Sequence, residues 1–116
     1  MSNRYFQFAV WLLWVALPLT ARRFRMVWDQ LPPRMATHFD INWQPNGWMS
    51  RETAFWFAVG LTAFLLVVFT VISSLIQRAP SPEFMRWGVL GLSYAVIGFV
   101  YAINSWMVQY NLSHKP

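Results

Sequence analysis

Three apolar runs and one polar interruption organise the chain. The first run, Tyr5 to Ala21, contains no charged residue. At about 1.5 Å per helical residue it reaches roughly 25 Å, just short of a hydrocarbon core of about 30 Å. Arg4 before it and Arg22, Arg23 and Arg25 after it can snorkel to headgroups, so a span over about 5–24 is expected. Phe24, Val27, Trp28 and Leu31 then recur at helical spacing, and the helix is expected to continue along the interface as an amphipathic segment until Pro32-Pro33 ends it. A cleaved signal peptide is the rival reading of this run, but Leu19-Thr20-Ala21 followed by arginines is a poor cleavage site.

The second run, Ala54 to Gln77, is also free of charge and reads as a full span over 54–77. Ser50 or Thr53 can cap its start, with Glu52 favourable in the first turn. Arg78 and Ala79-Pro80-Ser81-Pro82 end it, and so short a turn sends the third run, Trp87 to Tyr110, back antiparallel over 87–110. The expected fold class is all-α integral membrane: three transmembrane helices in one domain, 1–116, with a polar Pro/Trp-rich loop over 28–51 between the first and second.

Composition supports lipid as the solvent. Hydrophobic residues make up 57% of the chain and charged residues 11%, against about a quarter charged in soluble domains. The absence of cysteine removes disulfides, thiolate metal sites and a cysteine nucleophile. The net charge of +5 does not indicate nucleic acid, because Arg4, Arg22, Arg23, Arg25, Arg51, Arg78, Arg86 and Lys115 flank apolar runs instead of clustering on a soluble face. Trp28, Trp43, Trp48, Trp56, Trp87, Trp106 and Tyr110 fall near expected span ends, where amphipathic rings favour the headgroup layer. Cation counting puts Arg22, Arg23, Arg25, Arg34, Arg51 and Lys115 on one side and Arg4, Arg78 and Arg86 on the other, which by the positive-inside rule places the insert in the cytoplasm.

The third run carries Gly88, Gly91, Ala95, Gly98, Ala102 and Ser105 at spacings of three and four, a seam along which another helix can approach closely. Contact with the chain's own first or second span is the leading expectation; a homodimer or partner-subunit seam is the other. Asn104, with Tyr94 and Tyr101 on a neighbouring stripe, is the most polar residue inside this run and is expected to act as interhelical glue more than as a transport site.

Specific chemistry has few places outside the insert, which holds Asp29 and Asp40 with Glu52 adjacent, and His38. Leu31-Pro32-Pro33 must leave the helix. Met35 to Phe39 can then run as a short strand, Asp40 to Gly47 is rich in turn formers, and Trp48-Met49-Ser50 can pair back as a hairpin. A lone hairpin is marginal in water, so its aromatics are expected to pack on the interface or the span ends.

His38 and Asp40, two apart on a strand, would share a face and could offer a nitrogen and an oxygen to a divalent cation. Two ligands are too few and His114 would have to join them, so a hydrogen-bonded His-Asp pair fastening the hairpin is the leading expectation, with no metal and no cofactor. Ser50 lies close enough in sequence to suggest a nucleophile, but capping is its commoner task. There is no Gly-rich phosphate loop, no His-Glu-x-x-His and no intramembrane carboxylate pair, so no enzyme is expected. Transport by one copy is disfavoured by spans without ionisable residues.

Leu31-Pro32 followed by His38-Phe39-Asp40-Ile41-Asn42-Trp43-Gln44-Pro45-Asn46-Gly47-Trp48-Met49-Ser50-Arg51 resembles the signature of the bacterial membrane domain of unknown function numbered 1648, with its Leu-Pro, His-Phe-Asn, Gly-x-Pro-Asp and Trp-x-Ser-Lys at matching spacing. Three positions depart: Trp43 stands where that pattern has Gly, Asp40 and Asn46 exchange its Asn and Asp, and Arg51 replaces Lys. A glycine would permit positive φ, so Trp43 implies a reshaped turn or an added membrane anchor. The resemblance implies a multi-pass protein of the bacterial cytoplasmic membrane, similar to the amino-terminal half of the immunity and signalling protein that protects sporulating bacilli from their secreted toxin. It also implies an insert outside the cytoplasm, against the charge count. On that reading His38, Asp40, Asn42, Asn46, Trp48 and Arg51 contact a peptide or partner, or fix the hairpin. The alternative function is an accessory subunit of a membrane transporter or permease.

Overall fold

A computed structural model describes residues 3–114, so Lys115 of the charge count lies outside the described residues. The chain runs α1 (Asn3–Leu12), a 3-10 turn (Leu13–Val15), α2 (Ala16–Arg25), a second 3-10 turn (Trp28–Gln30), β1 (Arg34–Phe39), β2 (Pro45–Ser50), α3 (Arg51–Arg78) and α4 (Glu83–Ser113). Its longest dimension is 55 Å. α2 ends, α3 begins and α4 ends at the hairpin; the turn over 79–82 and the start of α1 lie at the opposite end.

α3 and α4 are long and apolar enough to cross a membrane, with mean hydropathy of 2.5 and 1.5 over their most apolar windows. Only 17% of each window is buried within the protein, unlike the central helix of a soluble core. Both helices outrun the apolar runs that predict them. Ser50 Oγ accepts from the Thr53 N–H at 3.1 Å, capping α3 three residues before the run begins. Pro82 precedes α4 where its missing N–H costs nothing.

The first expected span is instead a succession of shorter helical pieces. Pro18 has no N–H for the carbonyl of Trp14 four residues earlier, and the turn Leu13–Val15 tightens to 3-10 geometry. The expected amphipathic extension is also revised: α2 stops at Arg25, Leu31 is already extended, and Phe24 and Leu31 are buried inward instead of lying along an interface.

The bundle closes along small residues, but not those of the glycine seam. α2 turns Ala16, Thr20 and Phe24 inward, and α3 turns in Ala54, Ala58, Thr62 and Leu66, each set on one stripe at intervals of four. Thr20 and Thr62 donate to the carbonyls of Ala16 and Ala58 at 2.8 Å, so buried hydroxyls are satisfied within their own helices. α4 buries Leu90, Ser93, Ile97, Met107, Val108 and Asn111. Gly88, Gly91, Ala95, Gly98 and Ala102 point the other way and are exposed, with nothing within 4 Å of a Cβ added at any of the three glycines. The expectation that this seam meets the chain's own helices is corrected for these five, which lie on the outer face of α4, whereas Ser105 is half-buried with its Oγ enclosed. Asn104 Nδ2 is buried without a hydrogen-bond partner among the described residues. Tyr94, donating to the Ala9 carbonyl at 2.7 Å, and Trp14, donating to Thr70 Oγ1 at 2.8 Å, link helices instead.

Candidate functional site: the docked hairpin

The hairpin pairs Arg34 with Ser50, Met35 with Met49, Ala36 with Trp48, His38 with Gly47 and Phe39 with Pro45, with irregularities on either side of His38. Two strands alone are marginal, so its stability comes from docking. Met35, fully buried, enters a cluster with Phe24, Leu31, Ala54, Phe55, Ala58, Met107 and Val108. Phe24 and Trp28 each meet Phe55 edge-to-face at 5.7 Å. Phe39 lies edge-on to Trp106 at 4.8 Å and Tyr110 at 5.0 Å, so the rings expected to seek the span ends do pack on the end of α4.

Asn111 fixes the docking geometry. The side chain is 4% exposed. Its Oδ1 accepts from the Ala36 N–H at 2.8 Å, while Nδ2 donates to the Ala36 carbonyl at 2.9 Å and to the Met107 carbonyl at 2.8 Å. The amide thus acts as a third strand one peptide long, satisfying the outer edge of β1 where it is buried. The sequence reading passed over this residue in favour of Asn104. The available signal was its place on the stripe that carries Ile97 and Val108, immediately after the apolar run.

Arg51 holds the opposite side. Its Nη1 donates to the carbonyls of Trp28 at 3.1 Å and Leu31 at 3.4 Å, and its guanidinium lies 5.0 Å from the centre of the Trp28 ring. Arg25 covers the same ring at 4.8 Å and Phe55 at 4.5 Å. The backbone N–H of Arg51 reaches the Pro33 carbonyl at 3.0 Å. One arginine therefore ties the turn before β1 to the start of α3, using the forked donors that a lysine lacks.

The loop between the strands closes on Asp40. Its Oδ1 accepts from the N–H groups of Asn42 at 2.8 Å and Gln44 at 3.0 Å, and its own N–H donates to the Gln44 carbonyl at 2.9 Å. Trp43 has φ of 61°, the left-handed region, so the turn keeps the conformation a glycine would favour, at about 1–2 kcal/mol for a residue with a Cβ. The Trp43 ring lies 5.4 Å from Trp106, a contact that a glycine could not make.

His38 and Asp40 do not form the expected pair. The imidazole Nδ1 bonds instead to Asn46 Oδ1 across the strands, and the Asp40 carboxylate serves the turn. Ser50 Oγ is occupied by the helix cap and by Thr53 Oγ1 at 2.8 Å. Among the described residues no three His, Cys, Asp or Glu side chains gather as metal ligands. His114 lies at the end of α4, its Nδ1 donating to the Tyr110 carbonyl at 3.0 Å and its ring stacked on Tyr110 at 4.1 Å. Of the residues singled out in the sequence, His38, Asp40, Asn46 and Arg51 thus make contacts inside the hairpin and its mounting. Asn42 gives the turn its backbone N–H and keeps its side chain exposed, as Trp48 does.

No curated protein and no solved structure matches the chain. The end of α2, the whole hairpin and most of α3 fall within residues 24–71, which match the family model described as Domain of unknown function (DUF1648).

Proposed function

We propose that the chain is a non-enzymatic, multi-pass module of the bacterial cytoplasmic membrane whose hairpin presents its tip to a peptide or partner protein, in toxin immunity or signal sensing. In this reading α3, α4 and the N-terminal helical run cross the bilayer. The uncharged stretch of that run and its outward Phe8, Trp11, Leu12, Val15 and Leu19 support its inclusion. The non-enzymatic reading draws support from the occupations of His38, Asp40 and Ser50, each taken by a structural hydrogen bond.

One observation carries the contact function. The hairpin is locked from within by Asn111 and Arg51, yet Ile41 at its tip is 93% exposed and Trp48 is 49% exposed. Apolar side chains held outward on a rigid mount form contact points for an apolar or amphipathic partner. The test replaces Ile41 by aspartate and, separately, Trp48 by alanine, and follows survival under toxin challenge or capture of a partner from native membranes. Loss of about tenfold or more in response, with membrane insertion unchanged, is expected, the scale of a hot-spot residue. Full function in both variants would sink the proposal.

A second reading, docking onto a larger transporter or permease or onto another copy of the chain, is favoured by the outward position of the α4 seam. Close helix approach requires small residues there. A Cβ added at Gly91 or Gly98 has no atom within 4 Å, so in Gly91→Leu with Gly98→Leu the fold should survive while any co-purifying complex is lost. An unchanged complex in that variant removes the reading.

A further inference from the structure

A cavity of about 230 Å³ opens between the outer face of the hairpin and the last turn of α4, lined by Pro32, Arg34, Ala36, Pro45, Trp48, Tyr110, Asn111 and His114. Its volume is below the roughly 300–1,000 Å³ of sites for drug-sized molecules, too small for a folded peptide segment and ample for one compact polar group.

The chemistry of its wall is one-sided. The side chains of Arg34 and Trp48, both exposed, make no hydrogen bond to any described residue, so a guanidinium and an indole N–H are available to the cavity they line. The hydrogen bond from His114 Nδ1 to the Tyr110 carbonyl commits that N–H, so the ring adds an aromatic side to the wall and no further neutral donor. No carboxylate lines the cavity. Of the acids nearby in sequence, Asp40 binds its own turn, Glu52 pairs with Arg51 at 3.4 Å, and Asp29 does not line the cavity. Asn111 and the Ala36 backbone satisfy each other at the floor, making the site a rigid one. Such a wall, with forked cationic donors, a neutral N–H and aromatic sides, suits a tetrahedral oxyanion.

We propose that this pocket binds a phosphate group, which a lipid headgroup or a soluble phosphate compound can supply. Arg34 is the principal ligand, with Trp48 Nε1 beside it. The position of the pocket among Trp48, Trp106 and Tyr110 at the hairpin end of α4 is where lipid phosphates lie if the helices span a bilayer. The site shares Trp48 with the contact surface proposed above but not Ile41, and that surface does not include Arg34, so Arg34→Gln reports on the pocket and Ile41→Asp on the tip, and the failure of either proposal leaves the other standing.

Calorimetric titration of the purified chain in a neutral detergent with dioctanoyl phosphatidylglycerol tests it, with dioctanoylglycerol, which lacks the phosphate, as control. Arg34→Gln is expected to weaken binding about tenfold or more, in line with loss of a charge-assisted contact. Arg22→Gln removes the same charge from the same end of the molecule but outside the pocket, and should weaken binding less than about threefold. Trp48→Phe, which deletes the N–H and keeps an aromatic ring, should fall between them. Competition by millimolar glycerol 3-phosphate or inorganic phosphate assigns the site to soluble phosphate; intact lipid binding without competition assigns it to the headgroup. Equal losses in Arg34→Gln and Arg22→Gln mean diffuse attraction and overturn the proposal, as does dioctanoylglycerol binding as tightly as the phospholipid.

Discussion

Replacing Asn111 by leucine is expected to undock the hairpin while leaving the helices in place. Leucine has nearly the shape of asparagine, so the buried site stays filled, but both hydrogen bonds to Ala36 vanish and its N–H and carbonyl are left facing an apolar side chain. Each buried backbone group without a partner costs about 1–3 kcal/mol, so the docking should weaken by roughly 3 kcal/mol, a factor of about a hundred. The bond to the Met107 carbonyl matters less, because that carbonyl belongs to a continuous helix. Hydrogen exchange should report the change as faster exchange of the amides of β1 and β2, with the amides of α3 and α4 little affected. Asn111→Asp separates shape from donor chemistry: the carboxylate still accepts from the Ala36 N–H but sets a second oxygen against the Ala36 carbonyl, and should behave at least as badly. Unchanged strand protection in both variants would show that Met35 and the aromatic contacts dock the hairpin unaided.

The dependence on Asn111 also shows which parts of the fold can be read from the chain. Apolar runs ending in arginine and proline indicate α3 and α4, because length and hydropathy are local properties. Pro32-Pro33 and the turn formers from Asp40 to Gly47 mark the hairpin in the same local way. Which face of a helix points inward is different. In a lipid-exposed bundle both faces are apolar, so periodicity loses the contrast that identifies a buried stripe in a soluble protein. The glycines of α4 are regularly spaced and face out, while the closely packed stripe is Ala54, Ala58 and Thr62 opposite Ala16 and Thr20. The same ambiguity makes Asn104 look like the interhelical residue and hides Asn111.

The His38–Asp40 expectation fails for another reason. Two residues apart means one face only while the strand alternates regularly, and the pairing is irregular on both sides of His38. Asp40 has already left the strand and become the acceptor of the turn. Asp40 and Asn46 divide the two tasks between them. The acid closes the loop, and the amide meets the imidazole. Trp43 illustrates the opposite limit, since its left-handed backbone follows from turn geometry but its support, the ring of Trp106, comes from a helix 63 residues away in sequence.

Gly47→Ala should be nearly as damaging as loss of Asn111, through sterics alone. A Cβ at residue 47 would sit 2.8 Å from the Cβ of His38, its partner across the strands. No rotamer of histidine relieves this, because the clashing atom is the first of the side chain and moves only with the backbone. Overpacking of this kind costs about 1–3 kcal/mol, and here the strain falls on the hairpin that Asn111 and Arg51 hold in place. The source of the cost can be isolated by a cycle with His38. Gly47→Ala in a His38→Ala background keeps both Cβ atoms and should retain its cost, although the bond to Asn46 is already gone. In a His38→Gly background the opposing Cβ is absent, and the same substitution should cost little. Thermal unfolding of the three single and two double variants in one detergent, with strand amide exchange as the local readout, checks this. A penalty as large against glycine as against alanine would place the strain in the backbone of residue 47 and not in the approach of the two strands.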